Sequence, residues 1–461
     1  MSVRKMVVVF AVAVTSSVAL SDTINVPGDV AFIQNAIDIA VDGDLVLVDT
    51  GVYYETIDFL GKRITVTSLN GPSNTKIDGS ASSGPVVSFV NGEAIEVVLE
   101  GFTIRNGSGS NGGGVEIIDA SPSIRNCLIK GNHTTNNGGG IFIEYGGVQL
   151  EDVDIEGNTS GGSGAALYMR FSFATITGGS MLNNVSDLHA GAIYAKDGTG
   201  ALVLSGVIIT GNSAPSNGGA VYAKDSIVTV TDSIFELNSA NRGGGWFSYA
   251  GGDVTMNNCT FTGNTAADVG GAVDVRSSTA TFNQCTFDSN IADSDCDGVG
   301  GGGAIDIVNS TVILEDPALC GNLLCDVEDN FSGDDDPVII GDIVDCTTTD
   351  SGACCGGNAC WEMAEADCAD GGGVWNGDGS LCGIVTCDGG GGEDIGACCI
   401  DDTCVMSTEL SCSDAFGVFH GTSVTCSAVT CPEGCAADID GDGLVGVKDL
   451  LLMLSAWGVC P

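Results

Sequence analysis

Apolar and polar residues alternate along the middle of the chain in runs too short for helices. Stretches such as "IVTVTDSIF" and "ATFNQCTF" set Val, Ile, Ala and Phe against Thr, Asn and Ser, two residues apart. That period places one set of side chains inward and the other outward on a strand. The runs also recur on a longer scale. A motif "FxxN", or its aliphatic equivalent, carries its Asn at positions 106, 132, 158, 184, 212, 238, 264 and 290, in steps of 26 with one of 28. A second motif keeps the same phase, with "GGGV" at Gly112, "GGGI" at Gly138, "GAIY" at Gly191, "GGAV" at Gly218 and Gly270, and "GGAI" at Gly302. Short strands and glycine turns repeated at this length predict an all-β chain wound as a right-handed parallel β-helix. Asn tolerates the left-handed turn conformation and can hydrogen-bond from coil to coil, while glycine pairs turn corners where a Cβ would clash. Roughly eleven coils at ~4.8 Å spacing make a rod on the order of 50 Å long.

The pattern changes at both ends. "VAFIQNAIDIAVDGDLVLV" begins as an amphipathic helix, with Ile33, Ala36, Ile37 and Ala40 on one face, and turns at "DGD" into a strand. An open β-helix end exposes unpaired backbone and apolar core, so this helix is expected to cap it. Beyond Cys346, Cys354, Cys355, Cys360, Cys368, Cys382 and Cys387 recur 44 residues later as Cys398, Cys399, Cys404, Cys412, Cys426 and Cys431. Without a zinc-type spacing of Cys and His, these read as two six-cysteine modules of three disulfides each, with connectivity open. Cys435 and Cys460 bracket the tail. Cys296, Cys320, Cys325 and Cys346 cluster where the ladder ends, as a stapled terminal coil would require. Cys259 and Cys285 share a place in adjacent coils, as a bond or a buried stack, and Cys127 stands alone.

The expected organisation is a signal peptide over 1–21, a β-helix over 22–346, two cysteine modules over 347–432 (about 353–387 and 397–431), and a short loop-helix over 433–461. The signal rests on Arg4 and Lys5, the apolar run Met6 to Val14, and the small residues near Ser21. That run is too short to span a bilayer, and no later one suffices, so the mature chain is expected without a transmembrane segment, secreted or at the cell surface. Sixty Asp and Glu against 14 Lys and Arg give a net charge of −46. Nucleic acid is excluded as a partner, because too few cations exist to replace the counterions around phosphates. Divalent cations or a solvated extracellular surface suit the balance better.

Two sets of residues carry candidate chemistry. In "DIDGDGLVGVKD", Asp438, Asp440 and Asp442 take positions 1, 3 and 5 of a twelve-residue loop, Leu444 offers its carbonyl at 7, and Asp449 closes at 12. Alternating hard oxygens with glycine at 6 are what Ca²⁺ needs. The second set appears when coils are aligned on the glycine pair. Phe142, Tyr168, Tyr194 and Tyr222 form an outward aromatic ribbon that continues as Asp274 and Asp306. Beside it run Glu144, Arg170, Lys196, Lys224 and Arg276. A sugar or acidic polysaccharide could lie there, with rings stacking on aromatics and carboxylates meeting cations. Simple coil-to-coil stacking without any ligand is the stronger reading, since β-helices stack like side chains for stability.

The tail segment "DIDGDGLVGVKDLLLML" resembles one half of a dockerin module, which implies calcium and a cohesin-like or envelope partner. Dockerins carry two such repeats and this chain has one. The ladder, from about Gly101 to Asn322, resembles the "GGA[ILV]" and "FxxN" repeats of polymorphic outer-membrane adhesins, which implies adhesion, matrix or glycan contact. The fold is also similar to pectate lyases and polygalacturonases, which implies a polysaccharide lyase or glycosidase as the alternative function. The hydrolase motifs Asn-Thr-Asp, Gly-His-Gly and Arg-Ile-Lys are absent, and the chain holds only His133, His189 and His420. Asp274, Arg276 and Asp306 are the residues that could imitate a lyase site.

Overall fold

The computed structural model describes residues 21–198, 201–294, 300–324, 327–328, 330–334, 337–340 and 344–345, and six strands between 351 and 422. Within 22–345 the chain winds as a right-handed parallel solenoid with three main sheets. The first has 13 strands beginning at Thr23–Val26, the second 12 beginning at Gly51–Tyr53, and the third 11 beginning at Ile57–Asp58. Each coil crosses first, second and third sheet in turn and then steps up one strand. Short strands such as His133–Thr134 and Thr159–Ser160 add small sheets between the second and third.

Alternation works as expected. In the third sheet Ile141, Leu167, Ile193, Val221 and Val273, together with Ile143, Met169, Ala195, Ala223 and Val275, point into one continuous core. The "FxxN" motif now has a physical account. Phe235, Phe261 and Phe287 stack inside the solenoid with centroids 4.6 and 5.2 Å apart. The Asn three residues on points inward as well, and its amide donates to the carbonyl of the stacked residue one coil earlier. Asn264 Nδ2, for example, reaches the Phe235 carbonyl at 2.8 Å and Asn290 Oδ1 at 2.9 Å. The inner ladder runs Asn132, Asn158, Asn184, Asn212, Asn238, Asn264, Asn290 and Asn322, all buried.

Asn106 is a correction. Arg105 pairs with Lys130, which puts Asn106 opposite Gly131 and Gly107 opposite Asn132. The coil step there is 25, not 26. Asn106 therefore takes the left-handed corner (φ 58°) and bonds Asp78 at 2.9 Å, outside the ladder. Gly107 donates its N–H to Asn132 Oδ1 at 2.9 Å, and a Cβ at Gly107 would meet the Gly113 carbonyl, so no side chain fits.

The helix Ile33–Ile39 buries Ile33, Ala36 and Ile37 in the same core. Its ends are held by residues from later coils. Glu55 accepts from the N–H groups of Ile33 and Gln34 at 3.0 and 2.9 Å. Lys62 Nζ donates to the carbonyls of Ile37, Asp38 and Ala40 at 2.7, 2.7 and 2.9 Å. One ammonium thus satisfies three orphan carbonyls where the helix dipole is negative. Lys62→Met keeps the stem but removes all three donors, and is expected to lower stability by about 1–2 kcal/mol in chemical denaturation.

The chain from Cys346 onward is a separate compact unit. Two three-stranded antiparallel sheets lie in it, Ser351–Gly356 with Ala359–Ala364 and Val374–Asp378, and Ile395–Ile400 with Thr403–Thr408 and Val418–Thr422. Cys355 pairs with Cys360 as Cys399 pairs with Cys404, so the 44-residue repeat is carried into strand register. Among the described residues no helix is long and apolar enough to cross a membrane.

Candidate functional site

The third sheet's outer face brings the aromatic and basic ribbons together in register. Phe142 pairs with Tyr168, Tyr168 with Tyr194, Tyr194 with Tyr222, then Tyr222 with Phe247 and Phe247 with Asp274. The coil holding Phe247 was not found by its glycine motif, because "GGGW" carries Trp246 where the others have Ile, Leu or Val. The rings point away from the core, yet Phe142, Tyr168, Tyr194 and Tyr222 are only 6–8% exposed. The turn before each strand folds over them. Gly164 (φ 63°) sits so close that a Cβ would come within 3.0 Å of the Tyr194 Cβ, so the corner needs glycine. Their faces are occupied by one another, with centroids 5.3 Å apart for Phe142–Tyr168 and 5.2 Å for Tyr168–Tyr194. His189 closes the group, edge-on to Tyr222 at 5.2 Å. Burial raises the Tyr194 hydroxyl above the usual phenol range and pushes Tyr222 up to about 12. The outward direction was legible in the sequence, but the cover was not, so these rings present edges rather than open platforms.

The cations beside them are paired within the chain. Arg170 meets Glu144 at 3.3 Å and Asp197 at 3.7 Å, and Lys196 meets the same Asp197 at 3.7 Å. Lys224 lies 5.8 Å from the Tyr249 ring centroid. Arg276 Nε bonds Asp274 at 2.9 Å and its Nη2 bonds Asp306 at 2.8 Å in the next coil. Asp197, Tyr249 and the Asp268 that pairs with Arg242 at 2.7 Å escaped sequence reasoning, which aligned only the four strand positions after the glycines.

Asp274 and Asp306 are buried, and Ser332 donates to Asp306 Oδ1 at 2.7 Å. Asp274 keeps Oδ2 on Arg276 while Oδ1 has no hydrogen-bond partner. Burial raises its carboxyl to about 7, outweighing the attraction of Arg276, and Asp306 adds repulsion in the same direction. Such a group beside a second carboxylate is the usual raw material of acid–base chemistry. Here it lies under the turn at Gly270, where a Cβ would approach the Asp274 Cβ to 3.0 Å. Two surface depressions among the described residues, one lined by Asp42, Asp44, Arg63 and Glu96, the other by Asp253, Thr279 and Thr311, do not include it in their lining.

The family described as a right-handed β-helix region matches residues 68–287 and, overlapping, 174–317, which together span more than half of the 461 residues. The chain belongs to the right-handed β-helix family. No curated protein matches it. Two similar solved structures are the catalytic unit of a thermostable GH87 α-1,3-glucanase from Streptomyces thermodiastaticus strain HF3-3 and the Agl-KA catalytic domain. The first is 13% identical with a TM-score of 0.35, covering 68% of this chain and 67% of that one. The second is 13% identical with a TM-score of 0.26, covering 70% and 68%.

Within this β-helix family member, the calcium-loop residues Asp438, Asp440, Asp442, Leu444 and Asp449 lie outside the described residues, as do the signal segment before Ser21, Cys296, Cys325, Cys435 and Cys460. Cys127, Cys259 and Cys285 are buried free thiols. Burial pushes the Cys127 thiol up to about 12, which makes it a poor nucleophile.

Proposed function

We propose that this β-helix protein is secreted or held at a cell surface and works without catalysis, contacting a polysaccharide or cell-surface glycan. Its C-terminal loop takes Ca²⁺ through Asp438, Asp440, Asp442, Leu444 and Asp449, and serves as a docking or anchoring tail toward a cohesin-like or envelope protein. One observation carries the non-catalytic reading: Arg276 spans both Asp274 and Asp306 beneath a turn, so the groups best suited to move a proton are engaged with each other. The adhesin-like repeats and the acidic surface support an extracellular interaction role.

A second reading, a polysaccharide lyase or glycosidase of the pectin-lyase-like superfamily, is favoured by the Asp274 carboxyl poised about 7. A single experiment separates the two. The full chain is incubated with neutral and acidic polysaccharides, in calcium and in chelator, while retention and release of reducing or unsaturated ends are both followed. Retention without product is expected, with cell-associated protein freed by the chelator. Product release that disappears in Arg276→Ala would replace the binding reading with the enzymatic one.

A further inference from the structure

The residue that follows each third-sheet strand occupies the left-handed region in coil after coil. Asp119, Tyr145, Phe171, Asp197, Asp225, Ala250, Ser277 and Asn309 have φ between 46° and 64°. Short residues, Asp and Asn above all, tolerate this conformation; a bulky aromatic there is strained. Two consecutive coils nevertheless place Tyr145 (φ 57°) and Phe171 (φ 51°) at this corner. Burial does not offset the cost, since Tyr145 is 54% exposed. Strain kept at an exposed aromatic points to a use at the surface.

The neighbourhood is organised around these rings. Tyr145 and Phe171 stack at 5.3 Å with planes 10° apart. The Arg170 guanidinium lies 4.6 Å from the Phe171 centroid and is itself held by Glu144 and Asp197. Phe173, also exposed, lies flat across Gly147, where a Cβ would fall within 2.3 Å of its ring. Tyr145 makes no other ring contact among the described residues, and the exposed Asp119 occupies its column one coil earlier. Unlike the covered ribbon of Phe142 to Tyr222, this turn offers open aromatic surface rimmed by carboxylates.

We propose that Tyr145, Phe171 and Phe173 form a docking platform for an uncharged polysaccharide. The proposal rests on the glycan-contact reading above and names its site and ligand class. Aromatic faces take the C–H faces of pyranose rings, and Asp119, Glu144 and Asp197 accept hydrogen bonds from sugar hydroxyls. The cations in reach, Arg170 and Lys196, are already paired with Glu144 and Asp197, and Asp119 adds a further negative charge, so a polyuronate would meet net negative charge and be repelled.

The test uses the full chain with insoluble glucan, mannan and xylan as neutral probes and polygalacturonate and alginate as acidic ones. The variant Tyr145→Asp/Phe171→Asp restores the residue found in the flanking coils, so it is expected to melt at the same temperature or higher. Retention on a neutral probe should fall by about tenfold or more in that variant, a loss of one good stacking contact or more. Unchanged retention in the Tyr145/Phe171 variant, with wild type still bound, would overturn the platform while leaving the glycan reading in place. Preference for the acidic probes would overturn the ligand class. No retention of wild type on any polysaccharide would overturn both, and a change only in oligomeric state by light scattering would make the patch a self-contact instead.

Discussion

Asn212→Ala is expected to destabilise the solenoid by about 3–5 kcal/mol, read as a shift in the denaturation midpoint, because it takes a partner from four buried groups at once. Asn212 Oδ1 accepts from both the backbone N–H and the side-chain amide of Asn184, each at 2.9 Å. Its own amide donates to the Met181 carbonyl at 2.9 Å and to Asn238 Oδ1 at 3.0 Å. Truncation leaves donors on one side and acceptors on the other in a site with no exposed surface. Each unsatisfied buried group costs about 1–3 kcal/mol, and part of that is recovered as the coils relax. Asn212→Asp should be no milder despite its near-identical shape, since it replaces the donor with an acceptor and buries a charge. A variant at the corner, Asn106→Gly, is the contrast: it removes one bond to Asp78 at a position that already tolerates glycine in the next coil. If Asn212→Ala unfolds no more easily than Asn106→Gly, the ladder is decoration rather than a stabilising spine.

That contrast shows where the sequence was readable and where it was not. The solenoid was legible because inward residues repeat in kind, and an inward Asn in each coil can bond the Asn of the next coil. The slip at Asn106 was invisible, because the motif matched while strand register placed Gly107 opposite Asn132. The outward direction of Phe142 to Tyr222 followed from period two. Their burial did not, since what covers them is the preceding turn, set by the left-handed corners at Gly138, Gly164, Ala190 and Gly218. The same limit hid Tyr145 and Phe171. They sit one residue past the strand, where alternation says nothing and only φ reveals that a bulky ring occupies a place suited to Asp.

Removing the Arg276 guanidinium should have the other large effect, with a pH dependence that identifies its cause. Arg276→Met keeps much of the stem's packing but leaves Asp274 and Asp306 as adjacent buried carboxylates without a counter-ion. Breaking a buried pair from one side costs about 3–5 kcal/mol, because the remaining charge stays desolvated. The sign follows from Asp274, whose folded carboxyl is raised to about 7 from 3.8. The folded state binds that proton more tightly than the unfolded chain, so this group favours folding more as pH falls from about 7 toward about 4. Without Arg276 the carboxyl rises further, which widens the window upward. The gap between variant and wild type should therefore be largest near pH 8 and shrink by more than half near pH 4.5, a fraction of the full cost above. His189 runs the opposite way: burial lowers its pKa, so its neutral form favours folding above about 6.5 and that favour is lost as pH drops. It is common to both proteins and cancels in their difference. A gap that stays flat from pH 8 to 4.5 would mean that Arg276 contributes packing alone. A gap that closes on acidification would mark Asp274 and Asp306 as charges the fold tolerates only because the arginine spans them.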